Sequence, residues 1–374
     1  MKLKPVAPDK DDPLVGQPQS FRQMYYPQIV DNQWNDWKWQ LSNSIRTVNQ
    51  LKRFINITDK EEVDSTKLPL RITPYYLELI CHSIQLRKTM VPTNDELKKS
   101  FGEKLDPLNE EEDSVLPGLV HRYPDRVLIL TTDFCSANCR YCTRSRIIEK
   151  SEEMVNYSDI INYIKLHTEV RDVILSGGDP LTLSDEKLEY LLENIRNISH
   201  VEMIRIGTKV PFVLPQRITD NLVNILKKYH PLFMSVHSTH PDEITPESKA
   251  AMIKLADAGI AMGSQTVLLK GINNDADVLK KLFHELLKLR CKPYYLYQMD
   301  PILGSQHFKA TIKEGLDIIQ SLRGFTSGYA IPQYVIDAPG GGGKIPIAPN
   351  SVMSEDNEHI YLKNYEGEIF KYPV

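Results

Sequence analysis

Cys135, Cys139 and Cys142 stand in the run Cys135-Ser-Ala-Asn-Cys139-Arg-Tyr-Cys142. Thiolates at this spacing suit three irons of a [4Fe–4S] cube, a group normally held by cysteine. The fourth iron then lacks a protein thiolate and can bind a small molecule. A zinc site would need two CxxC pairs, or one CxxC with a matched histidine pair. A disulfide framework would need a cysteine-rich secreted chain. Neither pattern is present.

Two glycine runs could also do chemistry. Ser176-Gly177-Gly178-Asp179-Pro180 ends a predicted strand. It reads either as an ordinary tight turn or as backbone brought close to a ligand. Asp337-Ala-Pro-Gly340-Gly341-Gly342-Gly343-Lys344 can expose several N–H groups to an anion. It is not a P-loop, because the GxxxxGK[ST] spacing is missing and Ile345 follows the lysine. One reading is a flexible surface loop. The other is a pyridoxal phosphate (PLP) site, in which the lysine amine forms an imine with the cofactor aldehyde. His121-Arg122-Tyr123-Pro124-Asp125-Arg126 offers two arginines and a tyrosine to the cofactor's phosphate.

These residues need elements to hold them. From Arg126 onward, short apolar runs alternate with helix-period segments. Strands are predicted at 127–132, 173–176, 203–207, 232–237, 262–268 and 294–299, and helices near 158–170, 184–197, 218–229, 246–258, 276–290 and 309–323. Ser184 reads as an N-cap, and Leu188, Leu191, Leu192 and Ile195 share one apolar face. Thr245-Pro246 reads as a cap followed by proline at the first helical position. Six alternating units predict a parallel sheet with right-handed crossovers, a partial (β/α)6 TIM-like barrel of the α/β class. Chemistry in such sheets sits at the carboxyl ends of the strands. Cys135, Gly178, Arg205, Thr208, His237, Gln265 and Asp300 all fall at or near that rim.

The flanks read differently. Residues 1 to about 30 are polar and proline-rich, an arm. Trp34, Trp37, Leu41, Ile45, Val48, Leu51 and Ile55 recur every three or four residues, predicting one amphipathic helix whose tryptophans pack. Further helical signals reach about residue 90. Asn109-Glu-Glu-Glu-Asp113 reads as a solvated acidic loop. The resulting division is an N-terminal arm and helical extension over 1–115, a core over 116–325, and a C-terminal segment carrying Lys344 over 326–374.

Composition excludes several classes. The chain has 374 residues, five cysteines and a net charge of −4. Cys81 and Cys291 lie in apolar surroundings that read as helical and are assigned to packing. A low, odd cysteine count fits a reducing compartment, the cytoplasm. The opening MKLKPVAPDKDDPLVGQ has no apolar core and is no secretory signal. No run approaches the ~18 apolar residues of a membrane span. With no basic tail, nucleic acid is not a predicted partner.

The cysteine run, with aromatic Tyr141 before the last cysteine, resembles the CxxxCxxC signature of radical S-adenosylmethionine (SAM) enzymes. Longer matches narrow this. Trp34-Asn-Asp-Trp37, the stretch from Gly118 to Arg126, Arg205-Ile-Gly207, Leu214-Pro-Gln-Arg-Ile-Thr219, His240-Pro-Asp-Glu-Ile-Thr245, Pro293-Tyr-Tyr-Leu-Tyr-Gln298 and the stretch from Leu322 to Tyr329 resemble the lysine 2,3-aminomutase family. The resemblance implies a radical SAM, PLP-dependent isomerase that moves the α-amino group of lysine to Cβ. It implies that Cys135, Cys139 and Cys142 bind the cluster, that Gly178, Arg205, His237 and Gln265 contact SAM, and that Lys344 carries PLP with Arg122, Tyr123 and Arg126 around it. It implies that Arg144 binds the substrate carboxylate, and that Asp300 and Asp337 bind its distal ammonium. Two acids favour a cation and repel a glutamate side chain. Arginine remains an alternative substrate, as does supply of β-lysine for modifying translation elongation factor P. A non-catalytic iron–sulfur electron-transfer or sensor protein has no use for Lys344.

Some positions depart from the family pattern. Ser145 stands in place of an arginine, Thr208-Lys209-Val210 and His237-Ser-Thr-His240 differ locally, and Met299 and Gln333 neighbour the substrate region. With no cysteine after Cys291, the intersubunit zinc site of some members is not expected. Expected partners are an amino acid, a low-potential donor such as flavodoxin or ferredoxin, and further copies of the chain.

Overall fold

The computed structural model describes residues 20–63, 68–149 and 155–374. Among these, ten strands form one sheet in sequence order. β1 (Ser114–Leu116), β2 (Leu119–Tyr123) and β3 (Arg126–Leu130) make an antiparallel edge. β3 pairs in parallel with β4 (Asp172–Ser176), and parallel pairing continues through β5 (Met203–Thr208), β6 (Leu232–His237), β7 (Ala261–Leu268), β8 (Cys291–Gln298) and β9 (Gln333–Ala338). β10 (Gly343–Pro346) returns antiparallel along β9. Helices fill the crossovers close to the predicted spans. This is the partial barrel expected, with β9 as an additional parallel strand. The sheet runs across the 325/326 division. Only β11 (Val352–Glu355), β12 (His359–Lys363) and β13 (Ile369–Pro373) form a separate antiparallel sheet.

The period of two along each strand separates core from cavity. In β5, Ile204 and Ile206 are buried among the helices while Arg205 and Gly207 line the cavity. In β6, Met234 and Val236 are buried and Ser235 and His237 line the cavity. Register aligns His237 with Gln265 and Gln265 with Tyr295 across three strands. The helices hold the outside. In Asp185–Arg196, Ser184 caps the first turn, and Leu188, Leu191, Leu192 and Ile195 are fully buried. Each such leucine contributes about 1.5–3 kcal/mol relative to exposure.

The N-terminal region departs from its sequence reading. The Trp34–Ile55 stripe is three short helices, Asp31–Trp34, Trp37–Ser42 and Val48–Leu51. Asp36 and Thr47 cap new helices inside the stripe, and Ile45 leaves it to bridge Ile72. Periodicity records which side is buried, not whether the backbone turns between segments. Of the predicted arm, residues 1–19 lie outside the described residues; Phe21 starts a helix and is buried. Cys291 opens β8 and is not helical, because an apolar run alone does not tell strand from helix.

The N-terminal helices clamp the cysteine loop. Arg71 O accepts from Asn138 N–H, and Thr89 O accepts from Arg140 N–H at 2.8 Å. The Arg140 guanidinium donates to Glu96 and to Leu68 O, and Arg71 stacks over Phe134 at 4.1 Å.

Candidate active site

Two connected cavities open at the carboxyl ends of the strands. The smaller, about 170 Å³, is lined by Cys135, Cys139, Cys142, Gly178 and Lys209. The larger, about 380 Å³, is lined by Arg122, Tyr123, Arg126, Asp300, Asp337 and Lys344. Tyr141, Thr143, Arg144, Ser176 and His237 line both. A group in the first cavity therefore faces one in the second across a few side chains.

Burial pushes all three thiols up, Cys142 to about 11. Such thiols become good ligands only when a metal replaces the proton. Among the described residues, no three His, Cys, Asp or Glu side chains meet closely enough to share one ion. The sulfurs surround a cavity instead, and a cube takes its thiolates at separate corners. The residues present fit that group.

Gly177 and Gly178 are required by close approach. A Cβ on Gly178 would lie 2.2 Å from Phe134 O, and one on Gly177 would lie 2.4 Å from Thr132 O. The Gly178 N–H donates to Thr132 O and the Asp179 N–H to Phe134 O at 2.8 Å. The turn thus ties β4 to the start of the cysteine loop. The Gly178 N–H is thus used within the turn. The buried Asp179 carboxylate accepts from Thr208 Oγ1 and from the Leu181 and Lys209 N–H groups. The two departing segments meet here: Lys209 Nζ donates to Thr239 at 3.0 Å and pairs with Glu243 at 2.5 Å.

The expected SAM residues divide. Gly178 and His237 line the cysteine cavity; Arg205 and Gln265 line the larger one. Burial, with Lys209 and Arg144 nearby, lowers His237 to about 4, so it is neutral at ordinary pH. Gln265 donates to Tyr297 Oη at 3.2 Å. Arg205 is the third residue of β5 and pairs with Asp172 at 2.6 Å, deeper in the barrel than the rim position its sequence context predicted.

At the other end, Lys344 and Asp337 are directly opposite in the β9–β10 ladder. Lys344 Nζ lies 3.0 and 3.1 Å from the two Asp337 oxygens and 5.5 Å from the Tyr297 ring centre. Asp300 accepts from Thr143 Oγ1 at 3.1 Å. Burial, then the Asp337 charge, raises Asp300 to about 7. Asp337 therefore already holds an ammonium, that of the chain's own lysine.

The glycine turn before Lys344 is needed for shape. Gly340, Gly341 and Gly343 have φ of 77°, 85° and 77°. A Cβ on Gly343 would lie 2.9 Å from Tyr123 Oη. That hydroxyl accepts from Lys344 N–H at 3.1 Å, joining β10 to β2 across the open side of the sheet. Arg126 stacks on Tyr123 at 4.2 Å, and Arg122 is fixed by Asp113 at 2.6 Å. A reactive amine, two guanidiniums and a phenol round one cavity fit PLP.

The acidic stretch corrects its sequence reading. Glu110 is only 5% exposed, not solvated. It accepts from Arg144 Nε and Nη2 and from Arg146 Nη2. The Arg144 fork expected to be free for substrate is engaged on that edge. Charge-run reading missed Glu110, because its partners lie 34 and 36 residues away. Thr143 and Tyr297 were also missed, and nothing in their local sequence marks them.

A barrel carrying a three-cysteine loop beside a ligand cavity defines a radical SAM enzyme, and the profile of that superfamily matches residues 129–282. The profile described as lysine-2,3-aminomutase matches residues 319–374. The L-lysine 2,3-aminomutase of Fusobacterium nucleatum is 48% identical over 361 residues, covering 94% of this chain and 85% of that protein. That of Acetoanaerobium sticklandii is 49% identical over 363 residues, covering 94% and 88%. The chain belongs to the lysine 2,3-aminomutase family. The glutamate 2,3-aminomutase of Clostridioides difficile is also 44% identical over 357 residues, covering 91% of this chain and 83% of that protein. Overall identity thus leaves the amino acid to be read from the site. No helix among the described residues is long and apolar enough to cross a membrane.

Proposed function

We propose that this protein converts L-lysine to β-lysine, moving the α-amino group to Cβ. The carrying observation is the charge set of the larger cavity: the Arg144 guanidinium together with two acids, Asp300 and Asp337, the second of which pairs with the Lys344 amine. Glutamate would bring a carboxylate to the acid pair, which like charge opposes.

Cys135, Cys139 and Cys142 would hold the cluster, Gly178 and His237 would face SAM, and Arg122, Tyr123, Arg126 and Lys344 would hold PLP. Together these groups supply a hydrogen-abstracting radical and an unsaturated bond across which nitrogen can move. The protein's part is binding, orientation and exclusion of water. Arg144 would hold the carboxylate and the acids the distal ammonium, which together would fix the substrate's orientation. Lys344 would leave its ion pair with Asp337 to hold PLP, which would open that carboxylate to the substrate ammonium. With this reading go a cytoplasmic setting, a flavodoxin- or ferredoxin-like donor, and self-association.

The test is anaerobic incubation of reconstituted protein with SAM, PLP, reductant and separate amino acids, read by mass-resolved chromatography. β-Lysine from lysine, and no β-product from glutamate, is expected. Turnover of glutamate or of arginine in preference to lysine would overturn the assignment.

A further inference from the structure

Arg144 has five N–H groups in a planar fork. Its Nε lies 3.1 and 3.0 Å from the two Glu110 oxygens, its Nη2 lies 2.7 Å from Oε1, and its Nη1 donates to Ser176 Oγ at 3.0 Å. Glu110 therefore holds one edge of the guanidinium bidentately. The remaining edge, Nη1 and Nη2, is turned toward Ser176 on the wall shared by both cavities. Glu110 is itself gripped by Arg146, which also pairs with Asp106 at 3.3 Å and Glu111 at 3.0 Å. All of this converges on one buried carboxylate lining the substrate cavity.

We infer that Glu110 is a positioning residue for substrate recognition: it locks the Arg144 plane so that the Nη1–Nη2 edge meets the substrate carboxylate. Bidentate recognition depends on that plane, because a guanidinium rotated about its axis offers one N–H where two are needed. The inference rests on the reading of Arg144 as the carboxylate ligand, and the two can be told apart.

The experiment compares the wild type with E110Q, E110D and R144Q, each reconstituted with cluster and PLP. It measures kcat and KM for lysine, the kcat/KM ratio of lysine to lysinamide, iron content and PLP absorbance. For E110Q, KM for lysine should rise about ten-fold or more while kcat changes much less. The preference for lysine over lysinamide should shrink, E110D should recover part of it, and iron and PLP should stay at wild-type levels. Unchanged KM and unchanged preference in E110Q, with both lost in R144Q, would overturn the positioning role and leave the Arg144 reading standing. Unchanged KM in R144Q would overturn the Arg144 reading itself. If E110Q does not fold, E110Q/R146Q, which removes one charge of each sign, takes its place under the same criteria.

Discussion

Asp300→Asn gives the sharpest account of the substrate end. The side chain keeps its shape and can keep a hydrogen bond with Thr143, but loses its charge. Asp300 is raised from 3.8 to about 7 by burial and by Asp337, with Lys344 pulling the other way. At pH 6 only about a tenth of it is ionised, against nine-tenths at pH 8, so lysine affinity should gain roughly ten-fold over that span. In D300N this pH dependence should vanish. Loss of a charge-assisted hydrogen bond, about 2–3 kcal/mol, should raise KM for lysine by roughly 30- to 150-fold. Norleucine lacks the ammonium, so its binding should be indifferent to the substitution. The assay is KM against pH for wild type and D300N, with norleucine as competitor. Equal losses for lysine and norleucine, or a wild-type KM that worsens as pH rises from 6 to 8, would refute the reasoning. The same shift has a stability counterpart. The native state binds the Asp300 proton more tightly than the unfolded chain, so this group's contribution declines as pH rises from about 4 to about 7. D300N should flatten that slope in denaturant titrations.

Lys344→Ala should abolish PLP absorbance while leaving iron content intact; retained absorbance would place the covalent link elsewhere. Cys139→Ser should cut iron and sulfide content sharply while the thermal transition of the helical shell persists, as read by anaerobic metal analysis and circular dichroism. Gly178→Ala puts a Cβ 2.2 Å from Phe134 O. Backbone cannot yield as a flexible side chain does, so about 1–3 kcal/mol of stability and much of the cluster uptake should be lost. Wild-type cluster occupancy in that variant would show that the turn does not shape the loop.

The core of the fold was legible because its signals are local. Ser184 and Thr245 cap the helices they were expected to cap, and the six predicted strands stand in the sheet. β9 was missed because its outward residues are mixed and Asp337 interrupts its apolar pattern. The Trp34–Ile55 stripe misled because the backbone breaks between its segments, so that Trp37 and Leu41 pack on the barrel core while Trp34, Ile45, Leu51 and Ile55 join a separate N-terminal cluster. The site was legible where chemistry demands adjacent residues, as in the cysteine loop, the Gly177-Gly178 turn and the glycines before Lys344. It was not legible where charges meet across the fold. Glu110 reaches Arg144, and Arg205 reaches Asp172, by topology alone. Reading Glu110 as solvated came from weighing its acidic neighbours rather than the arginines folded over it.

The proposed chemistry requires an iron left open for SAM between the three cysteines and Gly178. Its most direct measurement is electron paramagnetic resonance of the anaerobically reduced protein before and after SAM is added. A [4Fe–4S]⁺ signal whose g-values shift with SAM, and shift no further in the presence of inert sulfonium salts, is predicted. A reduced cluster whose signal SAM leaves untouched would contradict it.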